Sequence, residues 1–198
     1  MTHELVIAHY AESLDWVRGQ EWASPQIYSK GQTVATPLPI VDLLPNVGRE
    51  AHTYLHYLIT RYDSLPDYVG FCQGNPFDHC RTFIPELRAA FRRPKPFSGF
   101  GWQLHCDPRG CPEHCGLPLG FYSDRLFARK FSEFDFQIGA QFVVSAERVK
   151  RHPKSFYEWL YVFTREDEVM PWVLERLWAV IFDGCTNLRR HAIPGDGP

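Results

Sequence analysis

The sequence predicts an α/β domain built on a mostly parallel sheet with helices on both faces. Three stretches carry that prediction. Glu4-Leu5-Val6-Ile7-Ala8-His9-Tyr10 is a nearly unbroken apolar run of strand length, as expected of a strand covered on both faces. From Asn46 a helix pattern follows, with Ala51, Tyr54, Leu55, Leu58 and Tyr62 spaced as one buried stripe. Pro66 ends it, and Tyr68-Val69-Gly70-Phe71-Cys72 reads as the next buried strand. Strand, helix and strand in that order make a βαβ unit.

The remaining elements fit around this unit. Glu12 to Arg18 reads as a short helix with Leu14, Trp16 and Val17 inward, and Gln26 to Gly31 as a second short strand ending in a turn. Pro85 to Arg92 reads as a helix with proline in its first turn. Glycine and proline crowd the segment from Pro94 to Asp124, which therefore reads as a long, loop-rich insertion covering the site. Phe136 to Ser145 reads as one strand or a bent pair with Gly139 near the bend. Two helices close the domain, Pro153 to Thr164 and Pro171 to Phe182; residues 1–183 form a single domain and 184–198 a flexible tail.

With 198 residues, 44% hydrophobic and 15% aromatic, the chain can bury a substantial single core. Its formal net charge of -2 provides no global basic field for nucleic acid, although Arg88, Arg92, Arg93 and Lys95 could form a local patch. No stretch approaches the roughly 18 apolar residues of a membrane span, and no leader pattern opens the chain; a soluble, cytoplasmic protein is the expectation.

Chemistry concentrates between Asn46 and His79. The buried stripe of the central helix leaves Arg49, His52 and His56 on another side, and the strand after it runs into the polar loop Gln73-Gly74-Asn75-Pro76-Phe77-Asp78-His79. Ligands in open α/β sheets bind past the carboxyl ends of strands, which makes that loop the first candidate for a site. A second cluster, His105-Cys106-Asp107-Pro108-Arg109-Gly110-Cys111-Pro112-Glu113-His114-Cys115, gathers five thiol or imidazole groups. Cys106, Cys111, His114 and Cys115 could surround a structural zinc ion, although they lie in one loop rather than two knuckles. A disulfide or reduced thiols remain the other readings.

Together, Glu12 and Trp16 after the first strand, Tyr28-Ser29-Lys30-Gly31, NVGREAHTYLHY, YDSLPD, FCQGNPFDH, GAQFVVS and ERLW resemble a bacterial and fungal family, domain of unknown function 3431. The resemblance runs from about Glu4 to Phe182. That family in turn is similar to GT-A-type glycosyltransferases, whose sheet often carries a lysine-glycine or N-x-G-R-D segment and a strand ending in acidic metal ligands. The resemblance implies a transferase acting on a phosphate-bearing, nucleotide-sugar-type donor and an unknown acceptor. Lys30 and Arg49 would hold phosphate, and Gly48 would allow close backbone approach. Tyr10, Glu12, Asn46, Gln73, Asn75, Gln141 and Arg176 would complete the substrate site. A general base would come from Glu50, His52, Asp78, His79 or Glu175. Asp78 would be the ligand of a magnesium or manganese ion, but the loop departs from the family pattern by offering amides and one histidine instead of a second carboxylate.

Plainer readings compete with each role. Arg49 and Glu50 can be first-turn charges, His52 and His56 packing or surface residues, and Asp78 a helix cap. Glu12 can mark a helix start, and Glu175 with Arg176 can be a structural ion pair. Two other functions also fit the chain: a tRNA-dependent enzyme of the cyclodipeptide-forming kind, with the basic patch on the RNA backbone, and a non-catalytic binding module.

Overall fold

The computed structural model describes residues 1–31, 38–127 and 133–183. Its centre is a six-stranded sheet of β1 (His3–His9), β2 (Pro25–Ser29), β3 (Ile40–Leu43), β4 (Tyr68–Gln73), β5 (Phe97–Phe100) and, late in the chain, β10 (Gln141–Ser145). Four further strands, described below, lie outside this sheet. The order across the sheet is β3-β2-β1-β4-β10-β5, with β1, β2, β3 and β4 parallel and β10 antiparallel to both of its neighbours. An α/β domain with a mostly parallel sheet is therefore what the sequence builds. Among the described residues no helix is long and apolar enough to cross a membrane.

Both faces of the sheet are buried except at the edge strand β3, and the strands alternate between two cores. Val6, Val69, Phe71, Phe142 and Val144 face α1 (Arg49–Arg61), α5 (Lys154–Glu166) and α6 (Met170–Asp183). Leu5, Ile7, Ile27, Cys72 and Val143 face α2 (Phe83–Arg92) and two 3-10 turns at Asp15–Val17 and Glu21–Ala23. Gly70 sets how closely α2 approaches: a methyl group there would meet Leu5, Phe91 and Leu87 side-chain carbons at 3.1 to 3.3 Å. On the opposite face, Phe142 is ringed by Tyr54, Phe71, Phe97, Trp178 and Phe182 with centroids 5.1 to 5.9 Å away, in the range where aromatic pairs attract.

Two sequence expectations change here. Glu12 to Arg18 forms no α-helix, because the Glu12 carboxylate turns back to accept from the Tyr10 and Ala11 N–H groups and Ser13 bonds Asp15; such local bonds compete with helix. The stretch from Pro94 to Asp124 is more regular than a loop. It holds β5 of the central sheet, β6 (Gln103–Cys106), the ribbon β7 (Gly110–Cys111) and β8 (His114–Cys115), and the start of α3 (Leu119–Phe127). Of the two readings of Phe136 to Ser145, the pair with Gly139 at the bend is the one realised, its strands lying in different sheets: β9 (Phe134–Gln137) pairs with β6, and β10 joins the centre. Gly139 and Ala140 turn between them with φ of +93° and +52°. A one-turn helix, α4 (Ala146–Val149), follows β10 and is capped by Ser145, whose hydroxyl accepts from the Arg148 N–H at 3.2 Å. The tail 184–198 lies outside the described residues.

Phe142→Ala is expected to cost about 3 to 5 kcal/mol, since it empties the centre of the aromatic layer. Urea unfolding followed by far-UV circular dichroism measures it.

Candidate functional site

The chain leaves β1 toward β2 on one side and leaves β4 toward α2 and β5 on the other. The topological reversal therefore falls between β1 and β4, where such sheets open a crevice at their carboxyl edge. Because β10 runs antiparallel, its first residue, Gln141, reaches the same edge. At the reversal itself the Glu12 carboxylate lies against Gly74, where an added methyl would stand 2.6 Å from Glu12 Oε2. Trp16 Nε1 donates to the Gly74 carbonyl at 2.7 Å. His9 is buried and is held between Ser29 Oγ at 2.9 Å and the Glu12 carbonyl at 3.1 Å. Gly31 packs so tightly on the Tyr10 carbonyl that no Cβ fits, while the Tyr10 ring stays exposed at the rim.

Next along the edge stands the start of α1. Gly48 and Arg49 both take positive φ, +62° and +49°, and for Arg49 that backbone costs of order 1 kcal/mol or more. Gly48 cannot be replaced cheaply, as a Cβ would meet the Thr164 carbonyl and the His52 Cβ at 2.8 Å. Lys30 holds the strained turn: its ammonium donates to the Val47 carbonyl at 2.5 Å and to the Arg49 carbonyl. Burial lowers the Lys30 amine to about 8, with Glu50 acting in the opposite direction. Asn46, just before the turn, is exposed.

Arg49 extends outward from this turn. Its guanidinium lies 4.0 Å from the centre of the Trp172 ring and its Nε lies 3.6 Å from Glu50 Oε2, with half of the side chain open to solvent. Glu50 is only 9% exposed. Burial raises its carboxyl to about 7; Glu175 adds to the rise, while Arg49, Glu50's own backbone N–H and Lys30 oppose it. Glu175 is also 9% exposed and accepts from the Gly139 N–H at 2.7 Å. Gly139 in turn lies against the His79 ring, which a methyl group there would strike at 2.7 Å. Contacts thus link Lys30, Arg49 and Glu50 at the start of α1, and Glu175 and His79 at Gly139, and the charge of Glu175 acting on Glu50 joins the two groups into one row.

Other candidate residues have different surroundings. His52 is fully buried, stacked on Tyr161 of α5 with centroids 4.3 Å apart, and neither ring nitrogen has a partner. Burial pushes its imidazole down to about 3, so it is neutral and suited to packing rather than proton transfer. His56 packs 6.3 Å from the same Tyr161 and lies 3.4 Å from Asp42. A third layer of helix explains both histidines. Gln73 ends β4, and the Asn75 side chain caps the 3-10 turn Pro76–Asp78 by accepting from the Phe77 N–H. Asp78 is exposed in that turn and does not cap α2, whose N-cap position is Thr82. Gln141 donates from Nε2 to the Pro76 carbonyl at 3.0 Å and leaves its buried Oε1 without a partner.

Arg176 is 2% exposed, and both of its amino groups are engaged inside the protein while Nε has no partner. One amino group donates to Glu175 and to the Trp172 carbonyl, and the other donates to His114 Nδ1 at 3.2 Å and Cys111 Sγ at 3.7 Å. It joins the cysteine ribbon to α6 and does not face the crevice. The ribbon does not assemble the expected zinc site: His114 faces Arg176, Cys115 is exposed, and among the described residues no three His, Cys, Asp or Glu side chains are grouped to hold a metal. Cys72, Cys80, Cys106, Cys111 and Cys115 are free thiols. Trp172 was not singled out from the sequence, although it shares a helix face with Glu175 and Arg176 at i, i+3 and i+4.

A family model described as "Protein of unknown function (DUF3431)" matches residues 5–86 and 123–192. The chain belongs to this family. No curated protein and no solved structure matches the chain. Every member of the row from Lys30 to Glu175 falls within the matched segments of the DUF3431 chain, whereas the cysteine ribbon lies between them.

The raised Glu50 carboxyl has a consequence for stability. A carboxyl protonated up to about 7 in the folded state and up to the ordinary range when unfolded stabilises the fold fully below the unfolded value. It loses that contribution as pH rises through 7. Glu50→Gln is therefore expected to flatten the fall in stability between pH 4.5 and 7.5, a change of roughly 3 kcal/mol in wild type. Urea midpoints across that range test it.

Proposed function

We propose that the chain is a transferase that moves a group from a phosphate-bearing, nucleotide-sugar-type donor to an acceptor, with Arg49 on the phosphate and Glu50 as the proton acceptor. The observation that carries the reading is the pairing of a half-open guanidinium with a buried carboxyl whose proton affinity is near neutrality. Resemblance to GT-A-type enzymes supplies the donor class, and the location at the carboxyl edge of a parallel sheet agrees with it.

In this reading Arg49 forks onto two oxygens of the donor diphosphate, a geometry that suits guanidinium better than ammonium. Trp172 fixes the plane of the arginine from below. The bound phosphate offsets the positive charge that lowers Glu50, so the carboxylate becomes a stronger base as the donor arrives. The acceptor then gives its proton to Glu50, its freed electron pair bonds the transferred carbon, and the diphosphate departs with the bonding electrons onto Arg49. Lys30 works indirectly, holding the strained turn that aims Arg49.

A divalent ion fits this donor set poorly. Asp78 stands exposed, among the described residues no three His, Cys, Asp or Glu side chains are grouped to hold a metal, and Glu12 already accepts two backbone N–H groups. Hard cations need several oxygen ligands. No step is therefore assigned to a metal.

Thermal-shift titration with nucleoside diphosphates and nucleotide sugars tests the reading. A ligand at about 100 times its Kd is expected to add about 2.7 kcal/mol of apparent stability. Arg49→Ala is expected to abolish that shift while keeping the fold, and Arg49→Lys to recover little of it. Glu50→Gln is expected to keep binding and lose turnover. An equal shift in wild type and Arg49→Ala would remove Arg49 from the site, and no shift with any of these ligands would overturn the donor class.

A further inference from the structure

The cysteine ribbon contains an arrangement that the crevice does not use. Asp107 and Gly110 exchange both backbone hydrogen bonds, Asp107 N–H to Gly110 carbonyl at 2.9 Å and the reverse at 3.1 Å. Pro108 and Arg109 form the two-residue loop between them. Carried one residue outward, the antiparallel register of that bridge sets Cys106 opposite Cys111 as a non-hydrogen-bonded pair, for which Cα atoms stand about 4.5 Å apart. That spacing lies within the range a disulfide spans. Burial raises the Cys106 thiol far above its ordinary value, and the neighbouring Cys111 thiol adds to the rise.

Two neighbours give the pair a direction of reaction. Cys111 is 5% exposed and lines an open cavity of about 520 Å³, together with Arg109, His105 and Cys115, whereas Cys106 is wholly buried. Arg176 Nη2 donates to Cys111 Sγ at 3.7 Å and stabilises negative charge that develops on that sulfur. Of this pair, Cys111 is the one that a small oxidant entering the cavity can reach. Cys106 lies behind it as the resolving thiol.

We propose that Cys106 and Cys111 are a redox-active dithiol that a peroxide oxidises reversibly to a disulfide. Cys111, giving up its proton, attacks one peroxide oxygen; the O–O bond breaks and the departing hydroxide takes that proton, leaving Cys111 as a sulfenic acid and releasing water. Cys106 then attacks the Cys111 sulfur, the S–O bond breaks, and the second hydroxide leaves with the Cys106 proton as water. Two thiols and one hydrogen peroxide thus yield one disulfide and two waters. The pair lies in the segment between the two family-matched regions, and the sulfur that reacts first also contacts Arg176, the partner of Glu175.

Treating the reduced full-length protein with hydrogen peroxide, blocking remaining thiols after unfolding, and digesting with trypsin without reductant tests the assignment. Trypsin cuts after Arg109, between the two cysteines, so only a disulfide keeps the resulting peptides together. The expected result is a Cys106–Cys111 linked pair of peptides that separates on reduction with dithiothreitol. Cys115→Ser, a change at an exposed position, is expected to leave that link intact, and Cys111→Ser to eliminate it. Blocked, unlinked Cys106 and Cys111 after peroxide would overturn the proposal, as would a link from either cysteine to Cys115.

Discussion

Burying a carboxylate and a guanidinium together is expensive unless nearly every polar atom finds a partner, and Glu175 with Arg176 shows how this protein meets that cost. The Glu175 oxygens take the Gly139 N–H and the guanidinium, and the two Arg176 amino groups reach the Trp172 carbonyl, His114 and Cys111. Four parts of the molecule meet there: α6, the turn between β9 and β10, the cysteine ribbon, and, through the field of Glu175, the Glu50 carboxyl. Breaking such a pair from one side typically costs about 3 to 5 kcal/mol. Here the damage would also release the turn that packs on His79.

The crevice depends on a second constraint at the start of α1. Two successive residues with positive φ would relax without restraint, yet Lys30 clasps the carbonyls on either side of Gly48 and Thr164 closes the space above it. The result is an arginine directed outward and a glutamate directed inward from adjacent positions. Stability and function oppose each other at Glu50, because the burial that makes its carboxyl a neutral-range base also costs folding energy once the carboxyl ionises.

Much of the fold was legible in the sequence because burial on two faces leaves a strong periodic signal. β1, α1, β4 and α6 could be read from apolar spacing alone. β3 could not, since it is an edge strand whose last three residues are exposed. β5 was hidden as well: it is four residues between proline and glycine punctuation, and its place is set by pairing with β10, far along the chain. The chemistry showed the same division. Arg49, Glu50, Lys30 and Glu175 stood out by residue type, but no local pattern reveals that Glu50 is buried beside Glu175 or that α5 covers His52. Arg176 looked like a substrate contact because its partners, Cys111 and His114, come from a segment read as a loop.

The proposed chemistry depends on the state of one proton. Carbon-13 NMR titration of the Glu50 side-chain carboxyl, with and without a nucleoside diphosphate, observes it directly. A midpoint near 7, moving upward when the diphosphate binds beside Arg49, is the expected result. A midpoint in the ordinary carboxylate range near 4.5, unchanged by the ligand, would mean that this edge of the sheet holds no base prepared for transfer.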